Sequence, residues 1–292
     1  MPNCKALPVF ISAQRETAHR LLAAKVARMM GRKFEEGDWA EVYCRAKGLP
    51  QRGWSNLNLD VMHQGLGVEH KMLCYRSDRN IASACGETLM HPAATRSIRI
   101  PQGRVSAERA MRDILTQYAE LIAQRTLNVR ELAPAGTAVD MRTGWLLWQE
   151  SLRQFLYFEE PMKAPKIEFY TAEWVESGGG ARKGSRNLWI YEQKTGKKRF
   201  SVTTSAGAKI QPYFDVPPPN DPNLYIFTVI GEVIMDGRVR CWLTRTTLDE
   251  LQRVLGRVDE QAITTAIVRH LSKLAPAEGS PSIVDDPQNL WN

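Results

Sequence analysis

The amino-acid sequence predicts an α/β protein with a central mixed β-sheet flanked by helices, followed by a β-rich C-terminal extension. Residues 106–127 repeat Met111, Ile114, Leu115, Tyr118, Leu121 and Ile122 at the spacing of a buried helix face. Residues 54–62 and 68–75 alternate apolar and polar positions and lie close enough in sequence to form a hairpin. Residues 145–150 and 154–160 follow as two further strands. The succession helix, hairpin, helix, strand, strand is that of a mixed sheet under helices.

Taken in order, residues 12–30 place apolar side chains at helical spacing between a capping Ser12 and a stop at Gly31. A second helix is expected from an Asp38 cap to Gly48, with Pro50 blocking its continuation. The hairpin comes next, then an irregular stretch at 76–104 whose basic run 95–104 is a candidate backbone grip. Beyond Pro165 come a glycine run, a basic stretch, a proline-rich break at 212–223, a hairpin around Asp236-Gly237 and a helix from Thr247 to Leu255. The expected organisation is a core at 1–165, a basic β-rich region with C-terminal helices at 166–275 and a frayed tail at 276–292.

Composition narrows the function classes. The chain has 292 residues, 43% hydrophobic and 24% charged, which is ordinary globular composition. No apolar run approaches the ~20 residues that cross a bilayer, and the start lacks a signal-peptide pattern, so no membrane association and a cytoplasmic location are expected. Five cysteines without a CxxC pair suggest neither a disulfide framework nor a zinc ribbon. The five histidines form no HxxxH or HxH set, and the tryptophans, Trp189 among them, read as core. Between residues 178 and 211, eight cations face one anion, a surplus equal to the chain's whole net charge of +7. Such a segment is the footprint of a polyanion binder, because neutralising phosphates releases counterions.

The chemistry concentrates at Asp60, Glu69 and Lys71. Cleaving a phosphodiester requires charge neutralisation at the phosphate and an activated water, which two carboxylates holding Mg²⁺ beside a lysine can supply. Glu69 and Lys71 share one strand face. With Gly65-Leu66 as a type II′ turn, Asp60 falls opposite Lys71, and any even-length loop keeps all three on one face. Leu59, Val61, Val68, His70 and Met72 then form the other, apolar face. Of the thirteen lysines, Lys71 and Lys194 alone follow an acid by two positions, and the second lacks a nearby upstream aspartate. A surface ion pair on a solvated strand is the bland alternative.

On these residues the sequence resembles the PD-(D/E)xK nuclease superfamily, particularly the type II restriction endonucleases, over roughly residues 15 to 160. The resemblance implies a restriction-endonuclease-like core, with Asp60, Glu69 and the His70 carbonyl as Mg²⁺ ligands and Lys71 positioning or activating the water. It also implies a glutamate from a preceding helix, for which Glu41 is chosen over Glu36. Leu59 stands where the nominal motif has proline. The implied function is site-specific cleavage of double-stranded DNA within a restriction-modification system, by a homodimer suited to a palindrome. A repair or defence nuclease directed by DNA structure or a modified base, and a non-catalytic DNA-binding regulator, are the alternatives.

Sequence choice requires base-edge contacts. The segments LWIYE and RFSVT read as a β-ribbon of the kind that enters a major groove. Arg182, Lys183, Arg186, Lys198, Arg199 and Lys209 are the candidate cations, with Ser201, Thr203, Thr204 and Ser205 as polar readers.

Overall fold

The computed structural model describes residues 9–27, 33–50, 59–75, 79–92, 98–99, 105–177, 185–203, 209–229, 249, 252–253, 256, 261–262 and 265. Chain contacts divide it into two compact units, Met1–Leu22 with Phe34–Ile230 and Ala23–Lys33 with Gly231–Asn292. The boundary expected at 165 therefore separates no compact units, since residues 166–230 belong with the core.

The first unit contains two five-stranded sheets. Sheet A runs in the order β1-β2-β4-β5-β10, from β1 (Val61–His63), β2 (Leu66–Cys74), β4 (Asp140–Trp148), β5 (Gln154–Pro161) and β10 (Tyr225–Thr228). It is mixed, because β2 and β4 are parallel while the other neighbours are antiparallel. A parallel pair needs a long crossover, and here it includes α3 (Ala107–Glu131). Sheet B is antiparallel, in the order β3-β9-β8-β7-β6, from β3 (Thr88–Met90), β6 (Tyr170–Ser177), β7 (Ser185–Glu192), β8 (Lys198–Thr203) and β9 (Lys209–Asp215).

Helix α3 packs against both sheets through separate clusters. The Ser106 hydroxyl caps it by accepting from the Arg109 N–H at 3.3 Å. Its first half buries Ala110, Met111, Ile114 and Leu115 against Leu188, Ile190, Phe200, Val202 and Ile210 of sheet B. Its last turns bury Val129 against Met62 and Met141 of sheet A and against Leu59, just before β1. At ~1.5 Å per residue a helix this long can serve both surfaces. The sheets also meet directly, with Phe214 stacked on Trp145 at 4.0 Å between ring centroids.

The opposite face of sheet A carries Tyr157, Tyr225 and Phe227, which pack with Phe10, Trp39 and Tyr43. Trp39 and Tyr43 come from α2 (Glu36–Lys47). That helix starts earlier than the sequence indicates: Glu35 is the cap, and Asp38 closes a capping box by accepting from the Glu35 N–H at 2.9 Å. Gly48 ends it with φ 68°, as the stop requires. Helix α1 (Ser12–Ala27) begins at the expected Ser12, and residues 28–32 lie outside the described residues.

In the second unit Gly256 takes φ 65° and donates to the Gln252 carbonyl at 2.8 Å, where the sequence indicates a helix stop. The hairpin around Asp236-Gly237 and the 276–292 tail lie outside the described residues. Among those described, no helix is long and apolar enough to cross a membrane.

Candidate active site

The hairpin turn is Gln64-Gly65, one residue earlier than expected, because Val61 pairs with Val68 and His63 with Leu66. Both turn residues have positive φ, 46° and 89°, the signature of a type I′ rather than a type II′ turn. Extended by one residue, the register sets Asp60 against Glu69 instead of Lys71. The loop still has two residues, so Val61, Val68 and His70 keep the face opposite Glu69 and Lys71, whereas Leu59, just outside β1, leaves the expected layer and packs with Met62, Val129 and Met141 on the α3 side. Leu59, Val61, Val68 and His70 are buried, and Met72 is half-buried.

Asp60 immediately precedes β1, and this short strand leaves the edge of β2 open beyond Val68. The His70 N–H there donates to Asp60 Oδ2 at 2.6 Å in place of a ladder partner. N–H and C=O of one strand residue point to the same edge, so the His70 carbonyl is directed to the side that Asp60 occupies. One strand position on, Lys71 Nζ donates to Glu69 Oε1 at 2.6 Å. Asp60, Glu69 and Lys71 are thus brought together.

Electrostatics show how crowded the acids are. Burial first, then Glu69, push the Asp60 carboxyl up to about 7, while the His70 N–H and Lys71 pull it down. Burial draws Lys71 down, but Glu69, Glu36 and Asp60 outweigh it and raise the ammonium above its ordinary value. Lys71 therefore keeps its proton at neutral pH. The donors left for a cation are Asp60 Oδ1, Glu69 Oε2 and the His70 carbonyl. Among the described residues no cluster of three or more His, Cys, Asp or Glu side chains is assembled to hold a metal. Hard oxygen donors from two carboxylates nonetheless suit Mg²⁺, which takes few protein ligands and relieves like-charge crowding.

The third acid is Glu36, not Glu41. Glu36 stands at the start of α2; burial raises its carboxyl first, Lys71 lowers it, and Glu69 raises it again. Glu36 in turn acts on Asp60 and Lys71. Glu41 instead pairs with Arg45 one helical turn on, at 3.4 Å. Arg125, which the sequence reading missed, reaches Glu69 Oε1 from α3 at 3.4 Å. A signal was present: position 125 continues the stripe of Ile114, Tyr118 and Ile122, where a charged residue is out of place unless it has a partner.

Behind the site lies a buried polar chain. The His70 imidazole points away from Asp60, with Nδ1 3.3 Å from the Tyr157 hydroxyl, which donates to Glu159 Oε1 at 2.8 Å. Arg142 Nη1 donates to Glu159 Oε2 at 3.0 Å and also holds Asp140. Burial, then Lys71, lower the His70 imidazole to about 3, so it is neutral. Its ring is structural, leaving only the backbone carbonyl as a ligand candidate.

The proposed DNA contacts divide. The segments LWIYE and RFSVT form no isolated ribbon, being parts of the central strands β7 and β8 of sheet B. Lys198, Ser201, Thr203 and Lys209 share its outer face with Trp189, which the sequence reading had put in the core; the Lys198 ammonium lies 3.0 Å from that ring's centroid. Arg186 lies on the other face, 4.0 Å over Trp174. Arg199 is engaged by Glu192 at 3.1 Å and Asp215 at 2.9 Å. Of the 95–104 patch only Ile98, in the core, and Arg99 are described. Arg182, Lys183, Thr204 and Ser205 lie outside the described residues. Comparison of the chain with protein-family models, curated proteins and solved structures gave no match.

Proposed function

We propose that this protein is a Mg²⁺-dependent DNA endonuclease of the PD-(D/E)xK type. The observation that carries the reading is the convergence of Asp60, Glu69 and Lys71 at the open edge of β2, with Asp60 fixed by a backbone N–H. Asp60, Glu69 and the His70 carbonyl would hold the metal, which supplies charge neutralisation at the phosphate and a more acidic bound water. Lys71, protonated, orients the attacking water and the phosphate electrostatically rather than as a base. Glu36 adds negative charge to the metal-binding edge. The mixed sheet A, with α3 in the connection between β2 and β4, supports this reading, since the resemblance implies a central mixed sheet flanked by helices.

The finer reading is a type II restriction enzyme that cuts both strands of a palindrome as a homodimer. One observation favours a second reading, a repair or defence nuclease directed by DNA structure or a modified base. Five strands at ~4.8 Å spacing span ~19 Å, too wide for a major groove of ~12 Å that admits a two-stranded ribbon. Incubation of purified protein with Mg²⁺ and plasmid, followed by sequencing of the ends, tests both. Fixed ends on both strands support the restriction enzyme, and scattered or damage-dependent ends support the second reading. Asp60→Ala should abolish cleavage and leave DNA binding intact or tighter. Cleavage that survives in this variant removes Asp60 from the chemistry.

A further inference from the structure

Arg125 belongs to the stripe of α3 that otherwise carries Met111, Ile114, Leu115, Ile122 and Val129, all buried. A long cation there has a desolvation cost that leucine or methionine would not have, so its partners should account for it. They do so only in part. Nη1 lies 3.4 Å from Glu69 Oε1, longer than the 2.6 Å contact that Lys71 makes to the same oxygen, with Arg125 and Glu69 side chains 17% and 12% exposed. The Arg125 Nε–H is buried and has no acceptor among the described residues. A guanidinium presents Nε and Nη as a fork matched to two oxygens of a carboxylate or phosphate. Here that fork holds one oxygen loosely and lacks the second.

We propose that Arg125 is a further catalytic residue, whose guanidinium grips the scissile phosphate beside Glu69 and Lys71. The proposal rests on the reading of Asp60, Glu69 and Lys71 as a phosphodiester-cleaving centre. Glu69 is the shared partner of both cations, so a phosphate brought to Lys71 also comes within reach of Arg125. An incoming phosphate supplies the acceptor that Nε lacks once the guanidinium turns outward from its buried position. The rival role is narrower: Arg125 neutralises Glu69 and touches nothing else.

Binding without metal separates the two roles. Affinity for a dye-labelled DNA duplex of mixed sequence is measured in EDTA over a salt series for wild type, Glu69→Gln, Arg125→Met and the double variant. Methionine suits the apolar stripe, and Arg125→Lys serves as a charge-retaining control. With Glu69 neutral, a phosphate grip predicts that Arg125→Met still weakens binding about 10-fold and flattens the salt slope by about one. A silent Arg125→Met in the Glu69→Gln background overturns the proposal.

Turnover gives the second readout. At saturating Mg²⁺, Arg125→Met should lower kcat by about 10² to 10³ and raise KM by up to about 10-fold, and Arg125→Lys should recover only part, lacking the fork. A loss present at low Mg²⁺ and absent at saturation would assign Arg125 to Glu69 alone and also overturn the proposal. Failure of the wild type to cut any DNA would remove the nuclease reading, whereas the metal-free cycle would still report on the phosphate contact.

Discussion

The crowding of carboxylates at the open edge of β2 predicts that Asp60→Asn stabilises the metal-free protein. Asp60 is raised from its ordinary 3.8 to about 7, by burial first and Glu69 second. Each pH unit between folded and unfolded values is worth about 1.4 kcal/mol, so the ionised carboxylate costs the fold at most about 4 kcal/mol. Asparagine removes that cost and still accepts from the His70 N–H, but it brings an amide N–H pair into a mostly buried site, where an unsatisfied donor costs about 1–3 kcal/mol. A net gain of about 1–3 kcal/mol remains, or about 2–12 °C in Tm at 2–4 °C per kcal/mol.

The sign with pH is fixed by which state holds the proton. Below about 4 the carboxyl is protonated in both states and costs nothing. From about 4 to about 7 the unfolded chain has ionised while the folded chain retains its proton, so stability falls as pH rises; above about 7 the cost is constant. Thermal unfolding of wild type and Asp60→Asn in EDTA at pH 8 and pH 4 therefore yields a gap that is large at pH 8 and closes at pH 4. Mg²⁺ at pH 8 should narrow it from the wild-type side, because a ligand that binds only the folded state stabilises it. Equal stability at pH 8, or a gap that does not change with pH, would refute the crowding argument.

Two further predictions test neighbouring parts of the site. Glu36→Gln should shrink the pH 8 gap between aspartate and asparagine at position 60, while Glu41→Gln leaves it unchanged, since Glu36 raises Asp60 and Glu41 is paired with Arg45. The same unfolding assay reads both, and an equal effect from the two variants would contradict the placement of the third acid. Gly144→Ala should destabilise by about 1–3 kcal/mol in denaturant titration, because the new methyl would meet the Tyr157 hydroxyl and lie 2.8 Å from His70 Nδ1. A neutral result would mean that the polar chain behind β2 is loosely packed.

The hairpin shows what was legible. Alternation put Glu69 and Lys71 on one face with Asp60 beside them, and moving the turn from Gly65-Leu66 to Gln64-Gly65 did not disturb this, because parity survives an even shift in register; it failed for Leu59, which precedes β1 and packs with Val129. The turn itself was ambiguous, since Gly65 suits the first position of one turn type and the second of the other. The choice between Glu36 and Glu41 was not legible, because both lie on one short helix and tertiary placement decides which acid meets the site. Sheet B was legible only in its middle. The pairing of β7 with β8 is local, whereas Thr88 pairs with Asp215, far along the chain, and no local pattern announces that neighbour.

The part of the site that sequence could not reveal also explains why it is held rigidly. Because β1 contributes only Val61–His63 to the sheet, the His70 N–H is left without a ladder partner and takes the Asp60 carboxylate instead. The same residue is held from behind, where its imidazole meets Tyr157 and, through it, Glu159 and Arg142. His70 is thus pinned on both sides of β2, with Glu69 and Lys71 as its immediate neighbours in the strand. Side chains set on a strand held in this way retain their spacing better than side chains on loops. Slackening Tyr157 or Gly144 should therefore disturb Asp60, Glu69 and Lys71 together, although neither residue lies on their face of the sheet.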